Sequence, residues 1–196
     1  MATSKLLVIS APSGCGKTTI VREILRRHPE LKFSVSATTR KQRVNEIHGK
    51  DYFFLAKEDF EHKIQRGELV EWERIYDNYY GTLKSEVETA LHSGTSMLFD
   101  IDVKGALSVR RCYPQDTVLI FIEPPGIEVL RERLAHRRTE SEDVIRKRLE
   151  RVPMELEMGK QFHHRVVNDD LDKAINEVDA IVRKAVGTAA TQTAGF

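Results

Sequence analysis

The segment Ser10-Ala11-Pro12-Ser13-Gly14-Cys15-Gly16-Lys17-Thr18-Thr19 constrains this chain more than any other. It follows the apolar run Leu6-Leu7-Val8-Ile9 and precedes the helix-patterned Ile20-Val21-Arg22-Glu23-Ile24-Leu25. A glycine-rich turn between a buried strand and a helix is suited to holding phosphate. Gly14 and Gly16 allow successive backbone N–H groups to converge, and the helix start adds unpaired amides and the positive end of its dipole. Lys17 then reaches the β- and γ-phosphates of a nucleoside triphosphate, and the Thr18 hydroxyl holds Mg²⁺. Ala11 stands where the G-x-x-x-x-G-K-[ST] pattern has its first glycine, so that position needs no backbone angle reserved for glycine.

The rest of the chain reads as a wrapped parallel sheet. Short apolar runs at Leu6 to Ser10, Met97 to Ile101, Val118 to Ile122 and Arg165 to Asn168 alternate with amphipathic segments. Helices are expected from about Lys17 to His28, Lys104 to Tyr113, Ile127 to His136 and Leu171 to Val186. Between Phe33 and Gly81 the texture changes to alternating and aromatic residues, in Phe33-Ser34-Val35-Ser36, Tyr52-Phe53-Phe54 and Leu69-Val70-Glu71-Trp72. A helix from about Lys57 to Arg66 is closed by Gly67. That pattern predicts an inserted small sheet with one helix. From Arg131 onward, arginines crowd a helical stretch, partly as a solvated face paired with Glu132, Glu140, Glu142, Asp143 and Glu150. The tail from Gly187 is small and polar.

Composition removes several classes of function. With 31 basic against 30 acidic residues and a net charge of +1, bulk electrostatics gives no reason to expect nucleic-acid binding. Any anion selectivity must be local. The two cysteines, Cys15 and Cys112, make no disulfide framework, and the seven histidines show no metal-ligand spacing. No apolar run approaches membrane-spanning length, and Met1 to Lys5 carries no signal-like segment, so a cytoplasmic protein with no membrane partner is expected. Nothing in the sequence sets an oligomeric state.

A second constellation narrows the chemistry. Ser34-Val35-Ser36-Ala37-Thr38-Thr39-Arg40-Lys41-Gln42-Arg43, Glu46, Gly49, Asp51-Tyr52-Phe53-Phe54, Val70-Glu71-Trp72, Asn78-Tyr79-Tyr80-Gly81-Thr82 and Asp100-Ile101-Asp102 follow one another in order. From about Lys5 to Val186 the chain resembles the guanylate kinase family. The resemblance implies an α/β fold: a three-layer phosphate-loop core with a parallel sheet, a small mixed α/β GMP-binding insert and a helical lid. In that organisation residues 1–34, 84–127 and 158–187 form the core, 35–83 the insert, 128–157 the lid and 188–196 a tail. It also implies transfer of the γ-phosphoryl group of ATP to GMP with Mg²⁺, dGMP being left open because no residue clearly reads the ribose.

The residues suit that chemistry in their own right. Arg40 and Arg43 bring two guanidinium forks near one another, and Tyr52 and Tyr80 can donate phenolic hydrogen bonds to the same phosphate. By resemblance these four grip the phosphate of GMP. A carboxylate accepts hydrogen bonds and cannot donate, so Glu71 matches the N1–H and N2–H₂ donors of guanine, while the hydroxyls of Ser36 and Thr82 can donate to O6. By resemblance these three read the base. Asp100 and Asp102, at i and i+2, are expected to close a strand with both carboxylates on one side. The family places Asp100 near metal-shell water or the GMP phosphate and Asp102 near guanine.

The resemblance assigns the donor side as well. Ala11 to Thr19 wrap the ATP phosphates, and Arg133, Arg137 and Arg148 belong to the lid that closes over them. Lys17, Arg40, Asp100, Arg137 and Arg148 carry catalysis. Arg138 stands where the family commonly has glycine, which leaves open whether Arg137 or Arg138 reaches phosphate. Asn168 either contacts adenine or caps the following helix. Two other readings exist. Guanylate-kinase-like domains of scaffold proteins bind partners without catalysis, but typically lack the phosphate loop that Gly14, Gly16, Lys17 and Thr18 supply here. A kinase for another small phosphate acceptor fits Glu71 and Ser36 less well than one for guanine.

Overall fold

The computed structural model describes residues 4–75, 77–135 and 142–187. The chain opens with β1 (Leu6–Ser10), whose five residues are all buried, and passes through the glycine turn into α1 (Lys17–Arg27). Two short strands follow, β2 (Lys32–Phe33) and β3 (Ala37–Thr38), then β4 (Phe53–Phe54) and α2 (Lys57–Gln65). Next come β5 (Leu69–Ile75), β6 (Asn78–Leu83), α3 (Lys84–His92), β7 (Met97–Asp100) and α4 (Val103–Cys112). The chain continues with β8 (Thr117–Glu123), α5 (Ile127–Ala135), α6 (Glu142–Gly159), β9 (His164–Val167) and α7 (Leu171–Val186).

These strands form two sheets. The larger has the order β2-β7-β1-β8-β9, and all its neighbours run parallel. Helices cover both of its faces. Alternation along β1 divides the core: Leu7 and Ile9 pack with Ile20, Ile24, Val178 and Val182 of α1 and α7, while Leu6 and Val8 pack with Val87, Val103, Ala106 and Val109 of α3 and α4. Each such fully buried aliphatic side chain contributes about 1.5–3 kcal/mol. Helix α7 shows how its length is set: the Asp170 carboxylate caps it by accepting from Lys173 N at 2.9 Å, and Gly187 at φ 71 ends it.

The expected core strands are present, and β2 adds a fifth at the edge. Phe33 is therefore part of the core sheet, paired with Leu98, and not of the insert. The run Phe33 to Ser36 is not a strand of the small sheet; Ser34 N still donates to Leu98 O, and the chain crosses over before β3 begins at Ala37. The small sheet has the order β4-β3-β6-β5, with one parallel and two antiparallel pairings. Phe60 of α2 fills its underside with Ala37, Leu69 and Leu83. Among the described residues no helix is long and apolar enough to cross a membrane.

Candidate active site

The glycine turn sits at the carboxyl end of β1, where open parallel sheets carry their ligands. Gly14 has φ 92 and Gly16 φ 80, a left-handed conformation that side chains disfavour. Helix α1 starts at Lys17 with no acidic residue in its first turn and no side-chain cap, so its leading amides and dipole face the turn unopposed. Ala11 is buried in the core cluster beside Cys15. Burial pushes the Cys15 thiol up to about 12, which keeps it neutral and makes it a packing group. Lys17 Nζ lies 2.7 Å from Asp100 Oδ1 and donates to Ile101 O at 3.1 Å, so the cation is held at the end of β7.

Around this loop lies a cleft of ≈ 340 Å³, lined by residues 11–19 with Glu73 and Ile75 of β5, Asp102 at the start of α4, and Arg151 and Glu155 of α6. Arg148 Nη1 donates to Ser13 Oγ at 2.9 Å, which ties α6 to the loop. Arg133 Nη2 donates to Asn168 O at 3.1 Å. Asn168 is buried, and its Nδ2 donates to Cys15 O at 2.8 Å. The cap of α7 is Asp170, so Asn168 does not serve that helix. Thr18 and Thr19 are exposed in the first turn of α1. Arg137 and Arg138 lie outside the described residues.

The small sheet supplies the other half. Arg40 directs its fork at Glu46, with Nη2 at 2.7 Å from Oε1 and Nη1 at 3.0 Å from Oε2. Its guanidinium also stands 5.2 Å over the Tyr52 ring, which meets the Tyr80 ring edge-on at 6.1 Å. Arg40, Tyr52 and Tyr80 are thus gathered in one place. Arg43 is not: its backbone N–H donates to Glu46 Oε2, but its side chain is exposed.

Glu71 owes its direction to a bulge. The β5–β6 register shifts between Leu69 and Glu71, so that Leu69 opposes Leu83 while Glu71 opposes Thr82. Thr82 Oγ1 then donates to Glu71 Oε1 at 2.7 Å. Gly81 permits this approach, because a Cβ there would stand 2.6 Å from Glu71 O. Burial pushes the Glu71 carboxyl up to about 7; the Thr82 hydrogen bond opposes that rise, and nearby Asp102 adds to it. Ser36 is half-buried and accepts Phe53 N through its carbonyl.

Asp100 and Asp102 do not share a strand face. β7 ends at Asp100, and Asp102 is the N-cap of α4, its Oδ1 accepting from Gly105 N at 2.8 Å. A helix start three residues before Gly105 claims that carboxylate, a capping signal that also reads as a strand end. Asp102 still borders Glu71 and Gly105 in the same groove. Sequence reasoning left Arg151 among the crowded arginines of this stretch and did not single out Glu155. Their spacing from Arg148, three and seven residues on, is the helical signal that puts all three on one side of α6.

A doubly covered parallel sheet with a lysine-bearing phosphate loop, facing a small sheet with an arginine–tyrosine cluster, defines the class as a phosphate-loop kinase. The guanylate kinase family model matches residues 3–185. A guanylate kinase of Chlorobium chlorochromatii is 48% identical over 185 residues, covering 94% of this chain and 97% of that one. The guanylate kinase of Thermotoga maritima is 46% identical over 179 residues, 91% of this chain and 86% of its own. The crystal structure of guanylate kinase from Anaplasma phagocytophilum superposes with a TM-score of 0.72 at 28% identity, covering 95% of this chain and 88% of that one. The chain belongs to the guanylate kinase family, and is an ATP:GMP phosphotransferase.

Proposed function

We propose that the two halves of the cleft divide the reaction between them: residues 11–19 with Arg133, Arg137 and Arg148 hold ATP, and Ser36, Arg40, Arg43, Tyr52, Glu71, Tyr80, Thr82, Asp100 and Asp102 hold GMP. The observation that carries this reading is the placement of the Glu71–Thr82 pair and the phosphate loop, which Asp102 borders on both sides. Ionised Glu71 accepts from guanine N1–H and N2–H₂, and the Thr82 and Ser36 hydroxyls donate to O6. Adenine would set an unprotonated N1 against the carboxylate.

Arg40 turns its fork from Glu46 to the GMP phosphate, with Tyr52 and Tyr80 donating beside it. One oxygen of that phosphate attacks the γ-phosphorus in line, and the bond from the γ-phosphorus to the β–γ bridging oxygen breaks, leaving ADP and GDP. Transfer of this kind rests on positioning and charge neutralisation, so no strong general base is needed. Lys17 and Arg148 neutralise charge on the transferring group. Residues 128–157 act as a lid over the ATP phosphates, and closure excludes water.

Mg²⁺ fits the donor set: the described residues hold no cluster of three metal-ligating side chains, and Thr18 presents an exposed hydroxyl beside Lys17. An ion carried by the triphosphate and completed by Thr18 and water matches that arrangement, whereas a dedicated protein cage does not. When bound, the ion would be held in part by Thr18 and would supply positive charge against the triphosphate. A coupled assay with ATP and either GMP or AMP tests the acceptor half. GMP turnover should exceed that of AMP by at least about 10³ in kcat/KM; preference for AMP would refute the reading.

A further inference from the structure

Two cations line the cleft around the phosphate loop, and they are held differently. Lys17 is committed to Asp100 and to the Ile101 carbonyl. Arg151 is flanked by Asp102 Oδ2 at 3.6 Å and Glu155 Oε1 at 4.0 Å, distances of ion pairing but beyond a hydrogen bond. Among the described residues Arg151 donates no hydrogen bond, so its fork is uncommitted while its position is fixed from two sides. Glu155, one turn farther along α6, is a buried carboxylate whose one partner of opposite charge within 4.0 Å among the described residues is Arg151. Burial raises its pKa, and Arg151 offsets that rise first, with Lys17 adding to the offset.

The direction of Arg151 follows from its helix. Arg148, three residues earlier on the same side of α6, already touches Ser13 of the loop. Across the cleft stand Glu73 and Ile75 of β5, next to Glu71 of the acceptor site. Arg151 therefore lies between the loop that holds the donor and the strand that reads the acceptor. Carboxylates crowd this region, namely Glu73, Asp100, Asp102 and Glu155, and each adds to the repulsion met by two phosphate-bearing substrates. A loosely paired guanidinium is the group that offsets it.

We propose that Arg151 is a further catalytic residue, donating its fork to the anionic oxygens shared between the transferring γ-phosphoryl group and the GMP phosphate, with Asp102 and Glu155 as the residues that position it. Arg151 forms no covalent bond and moves no proton; it neutralises charge as the bond to the bridging oxygen breaks and the bond to the GMP oxygen forms. This rests on the donor and acceptor sites proposed above.

The test is steady-state kinetics on the whole chain. Arg151→Ala is expected to lower kcat about 10- to 100-fold with KM for GMP within about threefold, because the contact tightens in the transition state. Guanidinium ion added to the assay should restore part of that loss, which a packing role would not allow. Unchanged kcat, or a loss that guanidinium does not restore, overturns the proposal. Arg151→Lys keeps the charge and both carboxylate pairings but loses the fork, so a loss of about threefold or more is expected. Wild-type turnover in that variant overturns the proposal even if the alanine variant does not fold. Lys17→Ala run in parallel separates the two levels: full turnover there would sink the donor-site reading itself, whereas its loss beside an unaffected Arg151→Ala sinks this inference alone.

Discussion

Thr82 Oγ1 donates to Glu71 Oε1 at 2.7 Å across the bulge between β5 and β6, and among the described residues that is the one hydrogen bond the Glu71 carboxylate makes. Everything else around the carboxylate raises its proton affinity, desolvation first and Asp102 next, until it titrates at about 7. The group proposed to accept two hydrogen bonds from guanine is thus half-protonated near neutrality.

The pH dependence follows in a definite direction. In the proposed role Glu71 pairs with guanine only as the anion, and its ionised fraction climbs between pH 6 and 8. KM for GMP should fall about tenfold over that interval as the binding-competent fraction rises. Part of the change belongs to the phosphate of GMP, whose second ionisation lies near pH 6. Glu71→Gln should keep that part and lose the rest, while KM for ATP stays unchanged. Equal pH slopes in the two proteins would show that Glu71 does not read the base.

The same group should leave a mark on stability. Its folded pKa of about 7 lies above the ordinary 4.5, so between those values the folded chain binds a proton that the unfolded chain has released. Stability then declines as pH rises through that window, and above it the buried charge counts in full, on the order of 3 kcal/mol. Glu71→Gln removes the charge. Thermal unfolding at pH 8 should show the variant melting higher than wild type by several degrees, with no gain at pH 4.5.

Lys17 presents the opposite case, a charged group whose loss should hardly disturb the fold. Its side chain and that of Asp100 are about one-fifth exposed, and the pair they make is open to screening. Lys17→Ala should lower kcat about 10²- to 10³-fold, since its proposed role is to neutralise charge on the transferring group. Circular dichroism and the melting temperature should stay near those of wild type. Normal turnover would contradict the role given to this lysine.

The elements legible in the sequence are those whose signal is local. β1 was readable from Leu6-Leu7-Val8-Ile9 because a strand buried on both faces is apolar throughout, and α7 because its apolar positions recur at helical spacing. β2 was not, since its two exposed residues, Lys32 and Phe33, are recruited by pairing with β7. The strand face expected for Asp100 and Asp102 failed for a related reason: a carboxylate just past a strand can equally cap the next helix, and Gly105 decides it. The bulge at Glu71 left no local trace, because it exists only through pairing with β6. Arg151 was visible in the chain, but its role depends on which side of α6 meets the loop, and packing alone decides that.

Of the two sequence readings of Asn168, Asp170 displaces the helix cap, and a loop contact stands beside the adenine reading. Asn168 Nδ2 donates to Cys15 O at 2.8 Å, and a Cβ on Gly16 would stand 2.6 Å from the same atom, so the side chain is packed directly beneath the phosphate loop. Asn168→Ala should cost about 1–3 kcal/mol by leaving the Cys15 carbonyl without this donor. Loosening the loop should raise KM for ATP, and by the same factor for a donor with another purine, because the loop is proposed to hold phosphate and not base. A loss confined to ATP would instead mark Asn168 as an adenine contact. Asn168→Asp sharpens the point, since it preserves size while turning a donor into an acceptor. Two acceptors would then face each other in a buried site, so the aspartate variant should melt no higher than the alanine variant despite its closer shape; a wild-type melting temperature would refute the proposed support of the loop.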